Sequence, residues 1–161
     1  MSTPKAPPAT FEPEFVQMLT QLFEERIVFN SVIGLKVTDI LPEGIVRGRV
    51  DMRNELVGHY SHNRIHGGVI SASLDAMGGL AAMAAIGARH MDEAPEQRLM
   101  RFSKLGTIDL RIDYLRPGIG THFDMQAEVL RLGSRVASTR MEFRGPDGKL
   151  MATGSGAYIV S

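Results

Sequence analysis

The chain has 161 residues, enough for one domain with a real core and too few for two ordinary ones. Eighteen basic residues balance eighteen acidic ones and no basic block stands out, which argues against a nucleic-acid partner. The absence of cysteine excludes disulfides, thiolate metal sites and a cysteine nucleophile. Residues 1–9 are rich in proline and small polar residues and are expected to form a disordered tail ahead of one domain over 10–161. No positive segment is followed by an apolar run near the start, so no secretory signal is expected and a cytoplasmic location is the default.

Thr10 offers an N-cap, and Phe15, Met18, Leu19, Leu22, Phe23 and Ile27 follow at helical spacing, which predicts an amphipathic helix ending near Asn30. The period then changes to two. Ile33, Leu35 and Val37, then Val46, Gly48 and Val50, predict two antiparallel strands around Pro42-Glu43-Gly44. Met52 to Ile65 has no sustained period and reads as a polar loop. From Asn63 to His90 the chain reads NRIHGGVISASLDAMGGLAAMAAIGARH, in which Asp75 is the only charge between Arg64 and Arg89. Such a segment predicts a helix buried on nearly all sides, and its small residues and Asp75 favour a core helix over a membrane span.

Met91 to Leu105 is charged, contains Pro95 and reads as a flexible connector or a short helix. Four strands follow, alternating around Ile108–Tyr114, Phe123–Val129 and Ala137–Phe143 before a last run from Leu150 to Val160. Asp109, Arg111, Asp113, Glu128 and Arg140 fall on their solvated face. The order of helix, two strands, long helix and four strands predicts an α+β fold in which the central helix covers one antiparallel sheet.

The segments IHGGVISASLDAMGG and TIDLRIDYLRPG, a Gly-Ser-Arg hairpin and PDGKLMATGSG together resemble the hotdog-fold acyl-CoA thioesterases of the PaaI-like group, over roughly Gly34 to Val160. The resemblance implies a sheet wrapped around the central helix, with two subunits pairing to build two active sites. It implies that the backbone N–H of Gly67 or Gly68 forms the oxyanion hole and that Asp75 is general base or nucleophile. Thr107 falls where such enzymes place a Ser or Thr that positions water or substrate, and Asn63 is a candidate to orient the carbonyl or the water. Acyl-CoA is the implied substrate. No separate cofactor is expected, CoA being part of that substrate.

The residues support part of this independently. Glycines at a helix start admit a ligand to unsatisfied N–H groups, where the helix dipole favours negative charge. Asp75 stands eight residues beyond Gly67, about 12 Å along an α-helix. Both can reach one carbonyl only from two antiparallel helices, which points to a homodimer or a dimer of dimers. Burial of Asp75 among Ala72, Ala76, Met77 and Gly79 is expected to raise its pKa; the alternative is a structural carboxylate bonded to a neighbouring loop.

Thr107 shares strand parity with the solvated Asp109 and Arg111, so it serves the site only near a dimer seam or a twist in the strand. Asn63 is equally compatible with a plain loop asparagine. His59, His62 and His66 lack a nearby Cys or acidic cluster, so no metal site is expected; His66 is assigned to cap the loop and fix the start of the helix. Gly78 and Gly79, each costly within a helix, require something to approach closely: either the packed sheet or an acyl tunnel lined by Met77, Leu80 and Met83. Arg135, Ser134, Arg131 and Arg116 are candidates for the CoA phosphates. A non-catalytic acyl-ligand binder is the main alternative. A hydratase is disfavoured because the Asp and His pair of that reaction is not found.

Overall fold

The computed structural model describes residues 10–161, and the expected tail over residues 1–9 lies outside them. The first amphipathic stretch is not one helix. α1 covers Pro13–Gln21, with Glu12 rather than Thr10 in the N-cap position and Pro13 in the first turn, where a missing N–H costs nothing. A π-turn over Leu22–Arg26 and extended backbone at Ile27 separate it from α2, Val28–Ile33. Side chains compete with the helix here: Asn30 Nδ2 donates to the Phe23 carbonyl at 2.9 Å, and the Glu24 carboxylate accepts from the Val37 N–H at 2.7 Å. α2 ends on Gly34, whose φ of 75° is left-handed. Ile33 is therefore helical, and the first strand starts at Lys36 instead.

The strands are β1 (Lys36–Leu41), β2 (Ile45–Asp51), β3 (Val57–His59), β4 (Arg64–Ile65), β5 (Gly106–Tyr114), β6 (His122–Leu132), β7 (Val136–Arg144) and β8 (Leu150–Ile159). Six of them form one antiparallel sheet in the order β1-β2-β6-β7-β8-β5. β3 and β4 make a small separate ladder inside the stretch read as loop. α3, Gly67–Arg89, lies against the inner face of the large sheet. α4, Pro95–Met100, and a 3-10 turn at Arg101–Lys104 occupy the connector. This is the hotdog arrangement, with an additional N-terminal helical segment.

Period two sorts the sheet as the sequence indicates. Val46, Val50, Phe123, Met125, Met141 and Phe143 turn inward and are buried. The outward residues pair across strands, as in Arg49–Asp124 at 2.9 Å and the Arg140–Glu128 ion pair. From α3, Leu74, Met77, Leu80 and Met83 enter this core with no exposed surface, each burial worth about 1.5–3 kcal/mol. Met77, Leu80 and Met83 are thus packed side chains beneath the sheet rather than the lining of an open tunnel. α3 is long and apolar enough to cross a membrane by length and composition, but most of it is buried against the rest of the chain. The N-terminal segment is tied to the connector by Arg98 of α4, which is 0% exposed, 2.6 Å from the Glu12 carboxylate and 4.3 Å over the Phe15 ring.

Candidate active site

One stripe of α3 is not covered by the sheet. Ala72, Asp75, Ala76 and Gly79 recur at helical spacing on one side and line a pocket of 260 Å³. Phe29 of α2 and Phe102 and Leu105 of the connector form its opposite wall, and Thr107 and Tyr158 stand beside Asp75 at its polar end. Asp75 is half-buried, more accessible than its apolar sequence context indicates, because its flanking alanines leave the stripe open.

The Asp75 carboxylate is held on one oxygen. Thr107 Oγ1 donates to Oδ1 at 2.9 Å, and the Tyr158 hydroxyl lies 3.2 Å from Oδ1 and 3.0 Å from the Asp75 carbonyl. Among the described residues Oδ2 has no hydrogen-bond partner and is free to act on a ligand or water. Tyr158 is 1% exposed. Burial, reinforced by the charge and hydrogen bond of Asp75, pushes its phenol well above the ordinary value near 10, so Tyr158 acts as a donor.

Thr107 reaches Asp75 through a β-bulge. Thr107 pairs with Tyr158 and Asp109 pairs with Ala157, which leaves Ile108 as the extra residue. One inserted residue reverses the face of everything before it. Thr107 therefore does not share the solvated side of Asp109 and Arg111, and it is Ile108, 57% exposed, that turns outward.

The close approach required at Gly78 is made by Tyr158. A Cβ at position 78 would lie 2.2 Å from the Tyr158 hydroxyl oxygen, whereas one at position 79 would meet Leu105 at 3.4 Å, an ordinary contact. Tyr158 is the site residue that strand periodicity alone does not single out. The available signal was the pairing of a glycine notch in the helix with the inward run Ala152, Gly154, Gly156, Tyr158, whose small residues leave room for one large ring.

At the other end of the helix, His66 is the N-cap: its Nδ1 accepts from the Gly68 N–H at 2.8 Å. The expectation of two interchangeable donors narrows accordingly, because Gly68 N–H already has a partner. Gly67 N–H makes no hydrogen bond among the described residues, while the Gly67 carbonyl accepts from the Tyr114 hydroxyl at 2.8 Å. Gly67 lines a second, open depression with Arg64, Tyr114 and Arg116, separate from the Asp75 pocket. Asn63 is exposed and left-handed, at φ 48°, between a 3-10 turn and β4, which is a turn role that asparagine tolerates. It does not line the Asp75 pocket.

The four residues considered for CoA phosphates do not converge. Arg116 borders the Gly67 depression and donates to the Leu150 carbonyl at 2.8 Å. Ser134 lines a different cavity with Arg89 and Lys104, while Arg131 and Arg135 are exposed on the β6–β7 hairpin. Among the described residues no group of three or more His, Cys, Asp or Glu side chains is placed to hold a metal.

A six-stranded antiparallel sheet around one long helix, with a carboxylate on that helix and, at its start, an N–H that has no partner among the described residues, defines a hotdog protein. Comparison with known proteins places it further. The sequence profile of the thioesterase superfamily matches residues 62–152. The medium/long-chain acyl-CoA thioesterase YigI of Salmonella typhimurium is 31% identical over 145 residues, covering 90% of this chain and 93% of that protein. YigI of Escherichia coli is 31% identical over 147 residues with the same coverage. A crystal structure from Shewanella oneidensis, of a protein related to the thioesterase superfamily, superposes with a TM-score of 0.84 at 35% identity, covering 94% of this chain and 100% of that one. The chain belongs to the thioesterase superfamily.

Proposed function

We propose that the protein hydrolyses acyl-CoA thioesters to a free acid and CoA, in a homodimer whose two sites each draw on both subunits. Thioester hydrolysis accords with the family. Similarity to YigI extends the reading to medium- or long-chain acyl groups. The observation that carries it is the Asp75 carboxylate, held on Oδ1 by two hydroxyls in a largely apolar pocket, with no hydrogen-bond partner on Oδ2 among the described residues. That oxygen either removes a proton from water as it attacks the thioester carbonyl or attacks the carbonyl itself. The partner's helix start supplies the oxyanion donor, for which Gly67 N–H is the group without a partner among the described residues.

The dimer is supported by separation. Gly67 and Asp75 border different depressions of one chain and lie about 12 Å apart along α3, so one subunit does not complete the site. Gly68 joins the oxyanion hole only if His66 releases its N–H. CoA enters as part of the substrate and no other cofactor is invoked. A cytoplasmic location belongs to the same reading.

Thiol release from short-, medium-, long-chain and aryl acyl-CoAs tests the proposal, with wild type compared against Asp75→Asn and Asp75→Ala. Hydrolysis that survives both substitutions removes Asp75 from the mechanism. Tight binding of acyl-CoA with no thiol release would make the protein a binder. A monomer at assay concentration with full activity would defeat the shared site.

A further inference from the structure

We infer that the groove along the open stripe of α3 is the acyl-chain subsite and that Gly79 sets the chain length it accepts. The inference rests on the proposed hydrolysis for its kinetic readout but not for its geometry. The groove follows the helix from Ala72 past Asp75 and Ala76 to Gly79, so beyond the Asp75 carboxylate its floor is backbone and a methyl group. Its walls are Phe29, Phe102 and Leu105. Apart from Asp75, Thr107, Tyr158 and Asn30, the side chains that line it are hydrocarbon, and Asn30 turns its amide to the Phe23 carbonyl. An unbranched apolar chain joined to a carbonyl at Asp75 matches that polarity gradient.

The two halves of the wall come from elements outside the sheet. α2 contributes Phe29, which is 58% exposed although it borders the pocket, so an aromatic ring stands at the groove mouth. The 3-10 turn and its exit contribute Phe102 and Leu105, and Phe102 packs edge-on against Phe23 at 5.7 Å between ring centroids. Gly79 is buried at the floor of the groove. Its absent side chain leaves the space bounded by Leu105 at 3.4 Å, the Tyr158 ring at 3.8 Å and Phe23 at 3.9 Å from a would-be Cβ. A methyl group fits there, whereas a longer side chain must project along the groove and occupy the length that the distal methylenes of a substrate need.

The test measures kcat/KM for butanoyl-, octanoyl- and dodecanoyl-CoA, with calorimetric binding of free dodecanoate, in wild type, Gly79→Leu, Gly79→Ala and Phe29→Ala. Gly79→Leu is expected to lower the dodecanoyl-to-butanoyl ratio at least about tenfold, since each methylene excluded from an apolar pocket is worth about that factor. Gly79→Ala should lower it less. Phe29→Ala should raise KM for dodecanoyl-CoA more than for butanoyl-CoA. If circular dichroism shows Gly79→Leu misfolded, the alanine variants decide.

An unchanged chain-length ratio in folded, active variants overturns the inference. So does a weakening of inhibition by free CoA without any change in the ratio, because that would seat the pantetheine arm in the groove. If wild type releases no thiol yet binds dodecanoate in a Gly79-dependent way, the hydrolase reading fails and the subsite stands. Dodecanoate binding that ignores Gly79 and Phe29 removes the subsite whatever the activity.

Discussion

The two sides of α3 are both largely apolar but differ in side-chain volume, and they do opposite work. Toward the sheet, Leu74, Met77, Leu80 and Met83 are packed without exposed surface, and Met77 sulfur would lie 2.9 Å from a Cβ at Gly48, so even the facing strand has no room to spare. Away from the sheet, Ala72, Ala76 and Gly79 are small enough to leave a groove, and the one charge of the segment stands among them. A side-chain volume difference of a few methylenes separates a core from a cavity. Of the two alternatives for Met77, Leu80 and Met83, a packed core or an acyl tunnel, the structure takes the first.

The sharpest way to break the open side is to remove its charge. Asp75→Asn keeps the shape and is expected to lower kcat in the thiol-release assay by about two to four orders of magnitude, the range for loss of a positioned base. Next in size is the glycine notch. Gly78→Ala forces a methyl group onto the Tyr158 hydroxyl and should destabilise by about 1–3 kcal/mol in urea unfolding. Its neighbour supplies the contrast: Gly79→Ala meets only ordinary contacts and should stabilise by up to about 1 kcal/mol through helix propensity. Two adjacent glycines with the same sign of ΔΔG would show that the notch is not specific to Tyr158.

A smaller effect is expected at Thr107. Thr107→Val removes one hydrogen bond to a carboxylate and should cost about 1.5–3 kcal/mol of site organisation at most, seen as a fall in kcat with little change in urea midpoint. The least is a pH effect. The Tyr158 phenol is raised in the folded state, so its proton is held by the native form after the unfolded chain has begun to lose it. Its contribution to stability is therefore complete below the ordinary phenol range near 10 and is lost as pH rises beyond it. Urea midpoints measured below and above that range should fall more steeply for wild type than for Tyr158→Phe.

The bulge in β5 marks where local pattern stops being informative. Alternation from Gly106 to Tyr114 assigns Thr107 to the solvated side, and only the pairing with β8, which skips Ile108, returns it to Asp75. Nothing in the spacing of apolar residues encodes that skip, because the bulge is a property of two strands and not of one. The break between α1 and α2 has a similar origin. Phe15 to Ile27 keeps helical spacing, but Asn30 and Glu24 spend their side chains on backbone groups supplied by a neighbouring turn and by β1.

The sequence by itself determined the order of elements, the inward and outward faces of the sheet, the long helix and the oddity of Asp75. These are set by hydrophobic periodicity and by the cost of placing a lone carboxylate in an apolar segment. It also supported the family, through motifs that the later comparisons agree with. Tertiary structure decided which side of the helix is closed and which hydroxyls hold Asp75. Those outcomes depend on which side chain arrives from a distant strand, and Tyr158 arrives from 83 residues away.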